Sequence, residues 1–148
     1  MFWKGHFVGL APGASYTARF TVEIASSAGT GCGGIGGAPG ESVFVKAGAS
    51  LVEPLALLNS HGQYRMNIDK GNQSVGGTNA IVLGNIATDA ACRSVSDWRL
   101  KQLASGSNGV TVQAGSDGGV WLLVGTDSGF EGATALYVTR FQAAFEQQ

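Results

Sequence analysis

The octapeptide TARFTVEI, residues 17–24, decides the fold class. Ala18, Phe20, Val22 and Ile24 alternate with Thr17, Arg19, Thr21 and Glu23. A period of two puts the apolar side chains on one face of a β-strand and the polar ones on the other. A strand with one dry face needs a second layer to cover it, and the rest of the chain supplies the material. Tyr64, Met66 and Ile68 alternate with Arg65, Asn67 and Asp69 in the same way, and Val110 and Val112 alternate with Thr111 and Gln113. These faces are expected to point at one core. The runs 42–47, 80–86, 120–124 and 135–141 are apolar on both sides, which predicts strands covered on both faces at the centre of the fold.

Turn chemistry separates these runs. Pro12-Gly13 suits the middle of a type II turn, and Ser107-Asn108-Gly109 and Asp117-Gly118-Gly119 offer positions that tolerate positive φ. One short helix is expected over 88–96, with Thr88 as its N-cap. Residues 26–40 read SSAGTGCGGIGGAPG, seven glycines in fifteen residues, a loop within one fold. Many short strands at fairly regular spacing predict an all-β, antiparallel two-sheet sandwich, jelly-roll-like, with residues 1–148 forming a single domain.

Composition narrows the partners. Charged residues make up 13% of the 148, against about 25% in an average domain. The nine Lys and Arg and ten Asp and Glu are scattered, so no basic stripe exists to follow a phosphate backbone, and nucleic acid is not an expected partner. No apolar run approaches the roughly 20 residues of a membrane span. The first eleven residues are interrupted by Gly5, His6 and Gly9, so no signal-peptide core is read there. Cys32 and Cys92 are the only thiols and allow one intramolecular pairing, which would suggest an oxidising compartment. Free cysteine is among the most buried residue types, and two separate buried thiols are the expectation.

Several motifs dissolve in context. Residues 31–36 satisfy G-x-G-x-x-G, but Pro39, Gly40 and a strand follow where a dinucleotide site needs a helix. Asp127-Ser128-Gly129 has only His6 and His61 as bases in the whole chain and no nucleophile elbow around it. Asn72-Gln73-Ser74 fits the glycosylation pattern, which matters only in a secreted protein. Trp3, Trp98 and Trp121 would make a sugar-stacking platform, except that Trp121 sits among Val120, Leu122 and Leu123 and is expected in the core. Two polar loops stand out instead. Asp69, Lys70, Asn72 and Gln73 lie in one, and Asp127, Ser128 and Glu131 in the other; both follow apolar strands, as binding loops on a rigid scaffold do. The same residue types also make side-chain turns. No cofactor is required by the sequence; Asp127 and Glu131 are hard-oxygen candidates for Ca²⁺, without EF-hand spacing.

The segments GLAPGASYTARF (9–20), GCGGIGGAPGESVFVKAGAS (31–50), NIDKGNQSVGG (67–77) and WLLVGTDSGFEGATALYVTRF (121–141) resemble an uncharacterised family of bacterial proteins. The first is also similar to the entry of galactose-binding-like jelly rolls and carbohydrate-binding modules. The resemblance implies a β-sandwich and a bacterial source, and it assigns no activity. Family members generally carry an extra N-terminal stretch, often after an export or lipoprotein signal. This chain starts at Met1-Phe2-Trp3, inside an expected strand, as a shortened or mobile-cassette gene product would.

The functional expectation is a non-enzymatic binding module whose two loops, 69–73 and 127–131, meet a carbohydrate or another small polar ligand. The alternative is a hydrolase pairing two of Glu41, Asp69, Asp127 and Glu131 as acid and base. A homodimer through the N-terminal edge strand, 3–8, is expected as well, since Phe2, Trp3, Phe7 and Val8 supply apolar area and only Lys4 and Gly5 blunt the edge.

Overall fold

The computed structural model describes residues 1–92 and 97–148. They form ten strands: β1 (Phe2–Val8), β2 (Ser15–Ser26), β3 (Val43–Ser50), β4 (Ala56–Leu58), β5 (Tyr64–Met66), β6 (Ala80–Asn85), β7 (Arg99–Ala104), β8 (Val110–Gln113), β9 (Gly119–Ser128) and β10 (Leu136–Gln147). One sheet has the order β1-β9-β3-β6; the other has the order β10-β2-β7, with β8 also pairing β2. Every pairing between strands is antiparallel. The all-β sandwich predicted from the sequence is the fold observed. Among the described residues, no helix is long and apolar enough to cross a membrane.

The octapeptide of residues 17–24 forms the middle of β2. Its apolar set, Ala18, Phe20, Val22 and Ile24, is almost completely buried. Across the interlayer, Val43, Val45, Ala47 and Ala49 of β3 and Val120 and Val124 of β9 complete the core. Burying one such large aliphatic side chain contributes about 1.5–3 kcal/mol. This row fixes the register, because a slip by one residue would turn every apolar group of a strand outward.

The register also determines what lies on the other side of the first sheet. In β3 the odd-numbered residues face the core, so Phe44, Lys46, Gly48 and Ser50 face outward, opposite Asp127, Gly125, Leu123 and Trp121 of β9. A third, small layer stands over this face: β4 and β5 form a two-stranded hairpin. Its base is held by Lys4, whose Nζ donates to Glu53 Oε1 (2.7 Å) and to the Pro54 carbonyl (3.0 Å).

Several expectations are corrected here. Tyr64 and Met66 belong to the outlying hairpin and do not face the main core. The apolar runs 80–86 and 135–141 give β6 and β10, which are edge strands and not central ones. Trp121 is half-buried on the outer face, its ring 5.0 Å from that of His6. Cys32 and Cys92 are joined in a disulfide, tying the glycine-rich loop to the segment after β6. The helix expected over 88–96 lies partly outside the described residues; Thr88 itself bridges Gly29 as extended backbone. Strands β4 and β7 carry no clean alternation and were not expected.

Candidate functional site

Lys46 anchors the site. Placed mid-strand on β3 and facing outward, it is nevertheless only 4% exposed, because the loop 69–76 folds over it. A buried ammonium requires partners for its three hydrogens. Its Nζ donates to the carbonyls of Lys70 (2.8 Å) and Val75 (2.9 Å) and pairs with Asp127 Oδ2 at 3.2 Å. Burial lowers the Lys46 pKa below the usual lysine value, and the nearby Asp127 carboxylate opposes that shift.

Asp127 gathers the two sequence-predicted loops into one place. Its Oδ2 also accepts from Lys70 Nζ (2.5 Å) and from the backbone N–H of Gln73 (2.8 Å). Burial alone would raise the carboxyl pKa; the hydrogen bonds from Lys70, Gln73 and Lys46 outweigh it and hold the group below the ordinary carboxylate range. Gln73 reaches this position with a φ of 46°, in a tight reversal closed by paired backbone hydrogen bonds between Asn72 and Val75 (2.9 and 2.8 Å). All of these donors fall on Oδ2, and Oδ1 of Asp127 has no hydrogen-bond partner among the described residues.

Asp69 has a different job. Its carboxylate accepts from the N–H of Gly71 (3.0 Å) and from the N–H and Oγ1 of Thr78 (2.8 and 3.2 Å). Those backbone donors, Thr78 first, hold its pKa below the ordinary value. Asp69 therefore shapes the loop, with its acceptor capacity largely spent. Ser128 donates its Oγ to the Phe130 carbonyl (2.8 Å) and is a turn residue. Glu131 sits against Gly36, its N–H donating to the Ile35 carbonyl (2.9 Å), with no charged partner among the described residues. Of the seven expected ligand-binding residues, Lys70, Asn72 and Asp127 line a common cleft, and Gln73 orients the carboxylate through its backbone. Asp69, Ser128 and Glu131 stand outside the cleft lining.

The cleft lies between the outer face of the first sheet and the hairpin, with a volume of about 630 Å³. Its floor is Lys46, Leu123, Gly125 and Asp127; Gln63, Tyr64, Arg65 and Met66 form the wall. Sequence reasoning missed Lys46 and the hairpin side chains. A signal for Lys46 existed: it is the one charge in the otherwise small and apolar stretch VFVKAGAS, and a charge in a covered strand requires a partner. Nothing in linear sequence says that a three-residue strand of exposed side chains will stand over another strand.

Other cavities have less chemistry. One of about 160 Å³ opens between β1 and β10 and is lined mainly by apolar groups, among them Phe2, Trp3, Val124 and Leu136. Another, of about 550 Å³, runs beside the disulfide and Trp98 and has no charged side chain in its lining among the described residues. None of these cavities is lined by two of Glu41, Asp69, Asp127 and Glu131, so the geometry gives the paired-carboxylate hydrolase no support. Among the described residues no three His, Cys, Asp or Glu side chains converge as a cation site, and the Asp127 oxygen that faces Lys46 and Lys70 is occupied by their ammonium groups. Comparison with protein-family models, with curated proteins and with solved structures gives no match to this chain.

Proposed function

We propose that this protein is a non-catalytic binding module that takes a small polar ligand, in the first instance a carbohydrate, in the cleft between the hairpin and the first sheet. The observation that carries this reading is the one-sided use of Asp127. Three donors fix Oδ2, while Oδ1 has no hydrogen-bond partner among the described residues and Asp127 lines the cleft. A carboxylate held this way is a pre-organised acceptor for a ligand hydroxyl, because its orientation is already fixed before binding. Beside it, Lys70 donates two of its three hydrogens within the protein, to Asp127 and to the Gly71 carbonyl. The adjacent acceptor and donor suit a pair of neighbouring hydroxyls, and the 75% exposed Tyr64 ring supplies an apolar face for a sugar ring to stack on. Pockets of this size take drug-sized ligands. The resemblance of residues 9–20 to carbohydrate-binding jelly rolls agrees with the reading. A glycan array followed by titration calorimetry tests it: binding lost in Asp127→Asn and weakened in Tyr64→Ala, whose side chain is too exposed to support the fold, supports the cleft. Binding that survives both substitutions overturns it.

A second reading, self-association through β1, rests on a separate observation. The Thr126 N–H donates to the Met1 carbonyl (3.0 Å), and in an antiparallel ladder the groups facing the partner belong to alternate residues. Met1, Trp3, Gly5 and Phe7 thus face β9, which leaves the backbone groups of Phe2, Lys4, His6 and Val8 directed away from it at the sheet edge. The one charge that would blunt that edge, Lys4, is held back by Glu53 and Pro54. Two copies related by a two-fold axis at Gly5 would pair Phe2 with Val8 and Trp3 with Phe7, closing both edges.

A further inference from the structure

We infer that the cleft ligand is an anionic sugar, one carrying a carboxylate or phosphate group beside its hydroxyls; this rests on the cleft being the binding site. The chain as a whole has a net charge of −1, yet the lining of this cleft reverses the sign. Lys46, Lys70 and Arg65 stand against the single carboxylate of Asp127. One ammonium and the carboxylate neutralise each other on the floor, so the surplus is the charge of Lys70 together with that of Arg65.

The cations of this lining differ in what they have left to give. Lys46 spends its hydrogens on two carbonyls and Asp127, so it fixes the floor and offers nothing to a ligand. Arg65 is exposed on the hairpin, and its one side-chain hydrogen bond among the described residues is a long one, Nη2 to Gln63 Oε1 at 3.3 Å. Most of its five donors are free, in the planar fork that matches a carboxylate or a phosphate. The floor thus reads hydroxyls through Asp127 Oδ1 and Lys70, while Arg65, a residue of the same lining, supplies the guanidinium for a negative group. A neutral sugar would satisfy the floor and leave Arg65 idle. A simple anion would satisfy Arg65 and leave the Asp127 acceptor without a donor, beside a like charge. A sugar with both kinds of group satisfies both, and the polar side chains of Gln63 and Asn72 in the same lining serve its remaining hydroxyls.

Calorimetry on the intact protein, with a uronic-acid disaccharide, a sugar phosphate and the matching neutral disaccharide as probes, decides the matter. At low salt one acidic probe should bind about tenfold tighter than the neutral one, and the more favoured of the two identifies the negative group. Arg65→Gln, a surface change, should reduce the ratio of acidic to neutral affinity to near unity, and a ratio that stays near tenfold would overturn the assignment of the negative group to Arg65. Raising the salt concentration should weaken the acidic probe selectively. If the neutral sugar binds as tightly as the acidic ones, and loses affinity in Asp127→Asn, the cleft stands as the site and the anionic preference is overturned. If none of the three probes binds, the cleft reading falls and this inference with it.

Discussion

The Nζ of Lys46 lies 3.2 Å from Oδ2 of Asp127, with their side chains only 5% and 17% exposed. The pair joins β3 to the end of β9 and holds the loop 69–76 on the sheet. Breaking a buried pair by removing one charge is costly because the other charge remains buried; replacing both is much cheaper.

Asp127→Asn should therefore lower the unfolding free energy by about 3 kcal/mol, since the Lys46 ammonium loses its counter-charge. Lys46→Met should also destabilise, by about 1–3 kcal/mol, because the Lys70 carbonyl loses its donor. The double variant should be clearly less destabilised than the sum of the two. Urea titration of all four proteins measures this, and simple additivity would show that the pair is not coupled.

Acid should weaken the fold through the same group. The folded pKa of Asp127 is depressed, so between that value and the unfolded value of about 3.9 the unfolded chain binds more protons and stability rises with pH. The contribution is fully present above the unfolded value and is lost as pH falls through the folded one. Melting temperatures of the parent and Asp127→Asn, followed downward from pH 6, should converge below about pH 4. A gap that stays constant into acid would contradict the assignment.

The disulfide between Cys32 and Cys92 closes a loop with a sequence separation of 60. Chain-entropy arguments give such a crosslink about 4 kcal/mol. Reduction, or Cys32→Ser with Cys92→Ser, should lower stability by about 2–4 kcal/mol while leaving the cleft, which shares no residue with this region, able to bind. Far-ultraviolet dichroism during thermal melts, with and without reductant, reads the first part. Equal melting in both conditions would mean that the crosslink carries no stabilisation.

Edge pairing of β1 can be tested with proline because the strand's two sides are chemically distinct. His6→Pro removes an N–H directed away from β9 and keeps those directed toward it, as an edge position tolerates. Light scattering after size exclusion should find a dimer for the parent at micromolar concentration and a monomer for His6→Pro. A parent that stays monomeric across the concentration range would refute self-association.

Much of the fold was legible in residues 17–24 and their counterparts, because burial of one strand face writes itself as a period of two. Val43, Val45, Val120 and Val124 were legible in a different way, as members of short runs apolar on both sides. The failures share another cause. Tyr64 and Met66 have the same alternation as Phe20 and Val22, yet they sit in a hairpin over the outer face; periodicity records that one side is drier, not which neighbour dries it. Cys32 and Cys92 are separated by 60 positions, and only the meeting of the glycine-rich loop with the segment after β6 decides that they pair. The candidate site divides along the same line. Sequence supplied Lys70, Asn72, Gln73 and Asp127 as polar residues in loops after apolar strands, a pattern that side-chain turns share. Tertiary structure alone put Asp127 against Lys46, separated Asp69, Ser128 and Glu131 from the cleft, and raised the Tyr64–Met66 strand as its wall. Local composition depends on which residues are neighbours along the chain, whereas a binding cleft depends on strand register and layer stacking between residues far apart in it.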